Sequence, residues 1–206
     1  MIPIGLNNDS YPILSDEQLA IQKAIHGEGF FLFIGVLRYY KGLHILLDAL
    51  KNTHIPCLIA GSGPIEQELK KKALQSGLSS VHFLGQVSDE VKVALLKLCR
   101  GVVFPSHLRS EAFGVTLLEG AMYGKPLISS EIGTGTSYIN QNGKTGYVVP
   151  PATPSALRRA IEALHNNPDQ AAQMGQAARL RYEQEFTGAL MGKRYAQLYR
   201  EMLKTK

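Results

Sequence analysis

Residues 102–129, VVFPSHLRSEAFGVTLLEGAMYGKPLIS, decide how the chain folds. They pass from an apolar run through a polar loop, a short apolar stretch and a Gly-Lys-Pro turn into a second apolar run. Residues 102–105 have the make-up of a buried strand, ended by Pro105 because proline has no N–H to give a sheet ladder. Gly124 and Pro126 mark a helix C-terminus, since glycine accepts the left-handed cap and proline cannot continue the helix. A helix is therefore expected at 115–123, with Gly114, Val115, Thr116 and Leu117 in its opening turn. The first N–H groups of a helix lack partners and lie at the positive end of its dipole, which suits a phosphate. Gly114 removes the side chain that would hold a ligand off the backbone. Glu111 precedes this turn and Glu119 lies inside the helix, eight residues on, where carboxylates can accept hydrogen bonds from sugar hydroxyls. A phosphate at the helix end with hydroxyl acceptors on either side describes a nucleotide-sugar. For an isolated pair of glutamates, solvated positions around a helix are the plainer explanation; the surrounding string argues against it.

Outward from this stretch, residues 30–35 (FFLFIG) read as an unbroken apolar strand of the kind buried on both faces of a parallel sheet. Further strands are expected at 56–60, 81–84, 126–129 and 147–149. Helical stretches alternate with them. Residues 14–25 start at an N-cap Ser15, and those after Lys41-Gly42 carry Leu43, Leu46, Leu47 and Leu50 on one stripe. Residues 61–75 follow a strand, 89–98 are capped by Ser88, and 154–164 open with Pro154 at the first position. Residues 169–185 and 189–204 close the chain, broken near Thr187-Gly188. This alternation predicts an α/β fold, a Rossmann-like, doubly wound, six-stranded parallel sheet. Ligand is then expected outside the carboxyl ends of the strands, where Gly35, Gly61, Gly85, Pro105 and Glu111 fall.

Ser110-Glu111-Ala112-Phe113-Gly114, Glu119 and Gly124-Lys125-Pro126 together resemble the E-x7-E signature of group 1 retaining glycosyltransferases of the GT-B fold. That family includes bacterial mannosyl- and glucosyltransferases of lipopolysaccharide and lipid-glycan synthesis. The resemblance spans nearly all 206 residues and implies the C-terminal, donor-binding half of a GT-B fold. It implies that Glu111 lies at the sugar and reaction centre, that Glu119 binds the nucleotide ribose, and that the amides following Phe113-Gly114 hold sugar hydroxyls and diphosphate. Residues 35–42 resemble the family's Gly-Arg-Leu…Lys-Gly element, whose arginine and lysine contact the donor diphosphate. Lys41 matches the lysine, but Val36 stands where the arginine belongs. Arg38, two residues on and on the same side of an extended segment, is a candidate for the missing cation. A cation at a helix start opposes the dipole, so an anionic neighbour is expected near Lys41. By resemblance, Gly61-Ser62-Gly63-Pro64 lines the nucleotide crevice and the backbone from Gly85 to Val87 meets the base edge. Gly133-Thr134-Gly135-Thr136 reads as a flexible hydroxyl-rich loop, either an ordinary turn or an approach to the donor phosphate.

The opening IPIGLNNDSYP resembles the crossing between the two GT-B domains. Residues 1–12 are accordingly expected to be a linker remnant, 13–186 the nucleotide-sugar donor-binding domain, and 187–206 a C-terminal helix packing towards an acceptor domain the chain does not contain. The implied activity is that of a retaining, metal-independent hexosyltransferase of mannosyl or glucosyl type, using a GDP- or UDP-hexose and no other cofactor. Lys41 and Glu111 would serve the reaction centre, and a glycan or lipid-linked acceptor would come through the missing N-terminal domain. Alone, the chain is expected to be an inactive or weakly active fragment. The implied location is cytoplasmic, at the inner face of the membrane, with peripheral association of the full enzyme left open. Two rival readings are a non-catalytic nucleotide-sugar-binding subunit that needs a partner chain, and a GT-B-like epimerase, which would act on donor without acceptor.

Composition narrows the remaining classes. A hydrophobic content of 45% with 19% charged residues fits a globular protein with a sizeable core, and no apolar run approaches the roughly 20 residues of a membrane span. The N-terminal residues show neither the basic nor the apolar region of a signal peptide. The net charge of +5 suits a phosphate-bearing ligand, but the basic residues are scattered. Lys70-Lys71-Lys72 and Arg158-Arg159 read as solvated helix faces, and no aromatic-interleaved basic patch points to nucleic acid. The third glycine of a dinucleotide fingerprint starting at Gly61 falls on Glu66, which disfavours NAD. The six histidines show no i,i+4 pair and no HExxH, no D-x-D is present, and no metal site is expected. His107, nearest the motif, reads as a loop histidine without a chemical role, and Cys57 and Cys99 read as buried thiols suited to a reducing compartment.

Overall fold

The computed structural model describes residues 2–204. Six strands, β1 (Phe31–Ile34), β2 (Cys57–Ala60), β3 (Val81–Gly85), β4 (Gly101–Phe104), β5 (Leu127–Ser130) and β6 (Gly146–Val149), pair in parallel in the order β3-β2-β1-β4-β5-β6. This is the doubly wound arrangement, and its order reverses between β1 and β4. The helices are α1 (Asp16–His26), α2 (Leu43–Leu50), α3 (Glu66–Gln75), α4 (Asp89–Leu98), α5 (Val115–Met122), α6 (Gly135–Ile139), α7 (Pro154–Asn166), α8 (Pro168–Glu185) and α9 (Gly188–Lys204).

Both faces of the sheet are covered, which is why its strands read as continuous apolar runs. Alternate residues of the first strand serve opposite layers. Phe31 and Phe33 join Leu46, Leu47, Ile59, Ile128 and Ile161 on one side. Phe30 and Leu32 join Leu58, Val102, Leu117, Leu118 and Phe186 on the other. Ser15 caps α1 in a reciprocal capping box with Gln18, and Ser88 caps α4 by accepting from the Val91 N–H. Cys57 and Cys99 are buried free thiols, each pushed up to about 12 by burial.

Several local expectations are corrected. Residues 39–41 add a 3-10 turn that the alternation of strands and helices did not indicate, directly ahead of α2 at Leu43. The helix expected from Gly61 starts at Glu66. Residues 61–65 instead lie against the end of the first strand, with the Leu37 N–H donating to the Ser62 carbonyl at 2.9 Å. The basic runs are not purely solvated faces. Lys72 bonds Asp48 at 2.7 Å, and Arg158 donates to the Ala49 and Lys51 carbonyls at 2.7 and 2.6 Å, closing the C-terminus of α2. Residues 205 and 206 of the expected last helix lie outside the described residues. Residues 2–12 are tied to the rest of the fold: Leu6 exchanges backbone bonds with Phe186 and Gly188, each 2.9 Å, and its carbonyl accepts from the Tyr182 hydroxyl.

Candidate functional site

The carboxyl ends of β1 and β4 mark the topological switch point of this sheet. Three chain segments meet there. The first carries Gly35, Val36, Arg38 and Lys41 beyond β1; the second runs from Pro105 beyond β4 to Gly114; the third is the opening turn of α5. Thr116 ties α5 to the switch point by donating its hydroxyl to the Ile34 carbonyl at 3.2 Å. Gly114 is the N-cap of α5 and lies in the left-handed region at φ 94, where a side chain would be strained. The Leu117 N–H turns back to the Gly114 carbonyl at 2.9 Å, so the amides left to face an anion are those before it. Phe113 is half-buried and Val115 exposed at this mouth.

Lys41 is brought to the second segment by backbone geometry. The His107 N–H donates to the Tyr40 carbonyl at 3.0 Å. Gly42, at φ 71, lies against Pro105 so closely that a Cβ would enter the shell of the Pro105 carbonyl oxygen. The outcome is an ion pair between Lys41 Nζ and Glu111 Oε2, with side chains only 13% and 11% exposed. Ser106, fully buried, donates to the same oxygen at 3.3 Å. The ammonium also lies 4.8 Å from the Phe104 ring centre and 5.3 Å from that of Tyr40. The anionic neighbour expected for a lysine at this helix start is therefore Glu111.

Arg38 and Val36 are both exposed while Leu37 between them is fully buried, so the two share a side of the segment as extended geometry requires. Among the described residues Arg38 makes no side-chain ion pair or hydrogen bond. Gly61 donates to the Gly85 carbonyl at 2.7 Å and Gly35 to the Ala60 carbonyl at 3.0 Å, which aligns these two turns along the same sheet end. Val87 packs partly buried against the α4 and α5 layer.

Glu119 is 7% exposed and occupied differently from Glu111. Its Oε1 accepts from the Tyr11 hydroxyl at 2.9 Å and pairs with Lys92 Nζ at 3.3 Å. Burial first, and then the Glu119 charge, push the Tyr11 phenol well above its ordinary value. Burial alone would lower Lys92, but its bond to Asp89 and the Glu119 charge outweigh that and hold the ammonium up.

Other residues escaped the sequence reading. Gly133 to Thr136 is not a free loop: Gly135 opens α6, its N–H donates to the Ala112 carbonyl at 3.0 Å, and Thr136 is buried. His107 lies in a loop, as expected, and its ring is packed rather than free. Its ring meets His44 edge-on at 5.1 Å and Tyr39 at 5.0 Å, while Tyr39 stacks on His44 at 4.9 Å. Burial lowers both imidazoles below their ordinary value, the other ring and Lys72 adding to this for His44. Each Nδ1 is buried without a hydrogen-bond partner. No spacing joins Tyr39, His44 and His107, or Tyr11, Lys92 and Glu119; only the fold does.

Comparison with known proteins agrees with this architecture. The family model for group 1 glycosyl transferases matches residues 15–181. The chain is 59% identical over 187 residues to the D-rhamnosyltransferase WbpZ of Pseudomonas aeruginosa, covering 91% of this chain and 49% of that protein. It is 50% identical over 207 residues to the O-antigen chain mannosyltransferase C of Escherichia coli, covering 100% and 55%. Among solved structures, a glycosyltransferase from Rickettsia africae superposes with a TM-score of 0.87 at 25% identity, covering 100% of this chain and 57% of that one. HepE of Anabaena, solved with UDP and glucose, superposes at 0.84 over 97% of this chain and 56% of its own, and at 22% identity it shows the fold alone. The fold is the Rossmann-like, C-terminal half of a GT-B glycosyltransferase. The chain belongs to the group 1 glycosyltransferases, and it spans about half the length of the curated relatives it matches.

Proposed function

We propose that this chain binds a nucleotide-diphosphate hexose as the donor half of a retaining, metal-independent hexosyltransferase of lipopolysaccharide O-antigen synthesis. The observation that carries the reading is the buried Lys41–Glu111 pair beside the opening turn of α5, at the switch point of the sheet. A pyrophosphate placed at the amides of residues 114–116 would meet the Lys41 ammonium, with the exposed Arg38 available as a second cation. When the bond from the anomeric carbon to the phosphate oxygen breaks, negative charge gathers on the departing diphosphate. Fixed positive groups already aimed at it lower that barrier without needing a metal. Glu111, held by Lys41 and Ser106, lies beside the sugar in this arrangement. Glu119 accepts from the ribose hydroxyls, the turn at Gly61 lines the nucleotide crevice, and residues 85–87 meet the base edge.

The two relatives quoted above are named as a D-rhamnosyltransferase and a mannosyltransferase; D-rhamnose is 6-deoxy-D-mannose, which favours a donor sugar of manno configuration, carried on GDP or UDP. Residues 2–12 act as the crossing from an acceptor domain, which would bring the glycan or lipid-linked acceptor, and the exposed Tyr195, Leu198, Tyr199, Met202 and Leu203 of α9 face that domain. No helix among the described residues is long and apolar enough to cross a membrane; work at the cytoplasmic membrane surface is part of the proposal. Calorimetric titration with UDP, GDP and ADP tests the reading. One of them should bind, and Glu119→Gln should weaken it; unchanged affinity would remove Glu119 from the ribose.

A further inference from the structure

Glu119 lies on α5, but what holds its carboxylate comes from far away in the chain. Tyr11 stands 108 positions earlier, in the segment before α1, and its hydroxyl reaches Oε1 at 2.9 Å. Lys92, on α4, reaches the same oxygen at 3.3 Å, bonds Asp89 at 2.9 Å, and lies 5.1 Å from the centre of the Tyr11 ring. The Tyr11 ring also meets Tyr123 edge-on at 6.2 Å. The segment itself is tied to the rest of the fold by the backbone exchange of Leu6 with Phe186 and Gly188, and the Tyr11 N–H donates to the Asn8 carbonyl.

We propose that Tyr11 is a positioning residue for the nucleotide ribose, acting through Glu119. The inference rests on the assignment of Glu119 to the ribose made above. Both donors engage one oxygen, Oε1, and neither engages the other. A carboxylate has acceptor capacity only and two oxygens to share; fixing Oε1 restricts its plane and leaves Oε2 to accept from the hydroxyl donors of a sugar. The Lys92 ammonium lies against the same oxygen and offsets its charge, and burial beside Glu119 keeps the Tyr11 phenol protonated, hence a donor. The segment ahead of α1 is thus part of the donor site, and its placement and nucleotide affinity are coupled.

The test uses this chain and the tightest binder among UDP, GDP and ADP, its 2′,3′-dideoxy counterpart, and inorganic pyrophosphate, which lacks the ribose altogether. Wild type should prefer the ribonucleotide by about tenfold or more, the size expected of hydrogen bonds to a charged acceptor. Tyr11→Phe, which keeps the ring, should cut that preference to about threefold or less while leaving pyrophosphate affinity unchanged. Lys92→Gln, as a second variant, should reduce it as well. A Tyr11→Phe protein that retains the full preference overturns the inference and leaves the ribose assignment standing. Parallel loss of pyrophosphate binding would reduce Tyr11 to a structural role and overturns it too. A wild type indifferent to the ribose hydroxyls defeats the ribose assignment itself, and the inference with it.

Discussion

Glu111 and Glu119 flank the opening turn of α5, both are buried, and each meets a lysine and a hydroxyl. Their surroundings are built differently. The Glu111 partners, Lys41 and Ser106, come from the two segments that leave β1 and β4, so the sheet itself puts them together. The Glu119 partners come from α4 and from the segment ahead of α1, which no strand positions. The first carboxylate is fixed by topology and the second by docking. Perturbations at one should therefore leave the other intact, and their sizes should follow how many groups each change leaves unpaired.

The largest effect is expected from Gly42→Ala. The residue sits at φ 71 and any Cβ meets the Pro105 carbonyl oxygen, so the Lys41 turn must lift away from the segment bearing Glu111. Left-handed strain of about 1–2 kcal/mol adds to the clash, and a loss above about 3 kcal/mol is expected in chemical denaturation. Pyrophosphate affinity should disappear with it.

Lys41→Met comes next. Among the described residues it leaves the nearly buried Glu111 carboxylate with Ser106 alone as a side-chain donor, and removing one partner costs about 3 kcal/mol, the low end for a buried pair because both side chains keep some exposure. Nucleoside diphosphate binding should weaken by more than about tenfold, the scale of a charge-assisted bond to phosphate. Glu111→Gln should cost less stability, because the lysine stem can bend its ammonium to solvent. The double variant should recover part of the Lys41→Met loss; strict additivity in denaturation would show that the pair does not interact.

This contrast also explains what the sequence made legible. Strand and helix succession, parallel order and the switch-point crevice follow from apolar runs, caps and breakers near one another in the chain, such as Ser15, Ser88 and Pro105. Lys41 and Glu111 lie in two such units, so a motif-level reading brought them together. Tyr11 was read only as part of a linker, since nothing in residues 2–12 indicates which helix they dock against. His44 and His107 carry no mutual spacing, and their contact depends on the 3-10 turn at residues 39–41, which local propensity did not forecast.

Lys92→Met probes the docked side and should be milder. Lys92 is 21% exposed and shared between Asp89 and Glu119, so its loss should lower stability by about 1 kcal/mol or less. Pyrophosphate affinity should stay within about twofold of wild type, because the Lys41 side is untouched. An equal loss of pyrophosphate binding would show that the two carboxylates are coupled after all.

The smallest effect separates the two sides by pH. The turn bearing Lys41 is held between His44 and His107, and burial lowers both imidazoles. His44 faces His107, Tyr39 and Lys72, with Asp48 and Glu68 pulling the other way; His107 faces Tyr39 and His44, and its own N–H is bonded to the Tyr40 carbonyl. A lowered basic group binds fewer protons folded than unfolded, so its stabilisation is complete above the ordinary histidine value of about 6.5 and is lost as pH falls through that value towards the lowered folded one. Tm should therefore drop between neutral pH and about pH 5, and His107→Gln should flatten that slope. Around Glu119 the neighbours are Tyr11 and Lys92, both held above their ordinary values and silent in this window. Tyr11→Phe should consequently leave the slope unchanged. If it flattened the slope as much as His107→Gln does, the histidine cluster would not be the titrating element, and the separation of the two sides would fail at its most sensitive point.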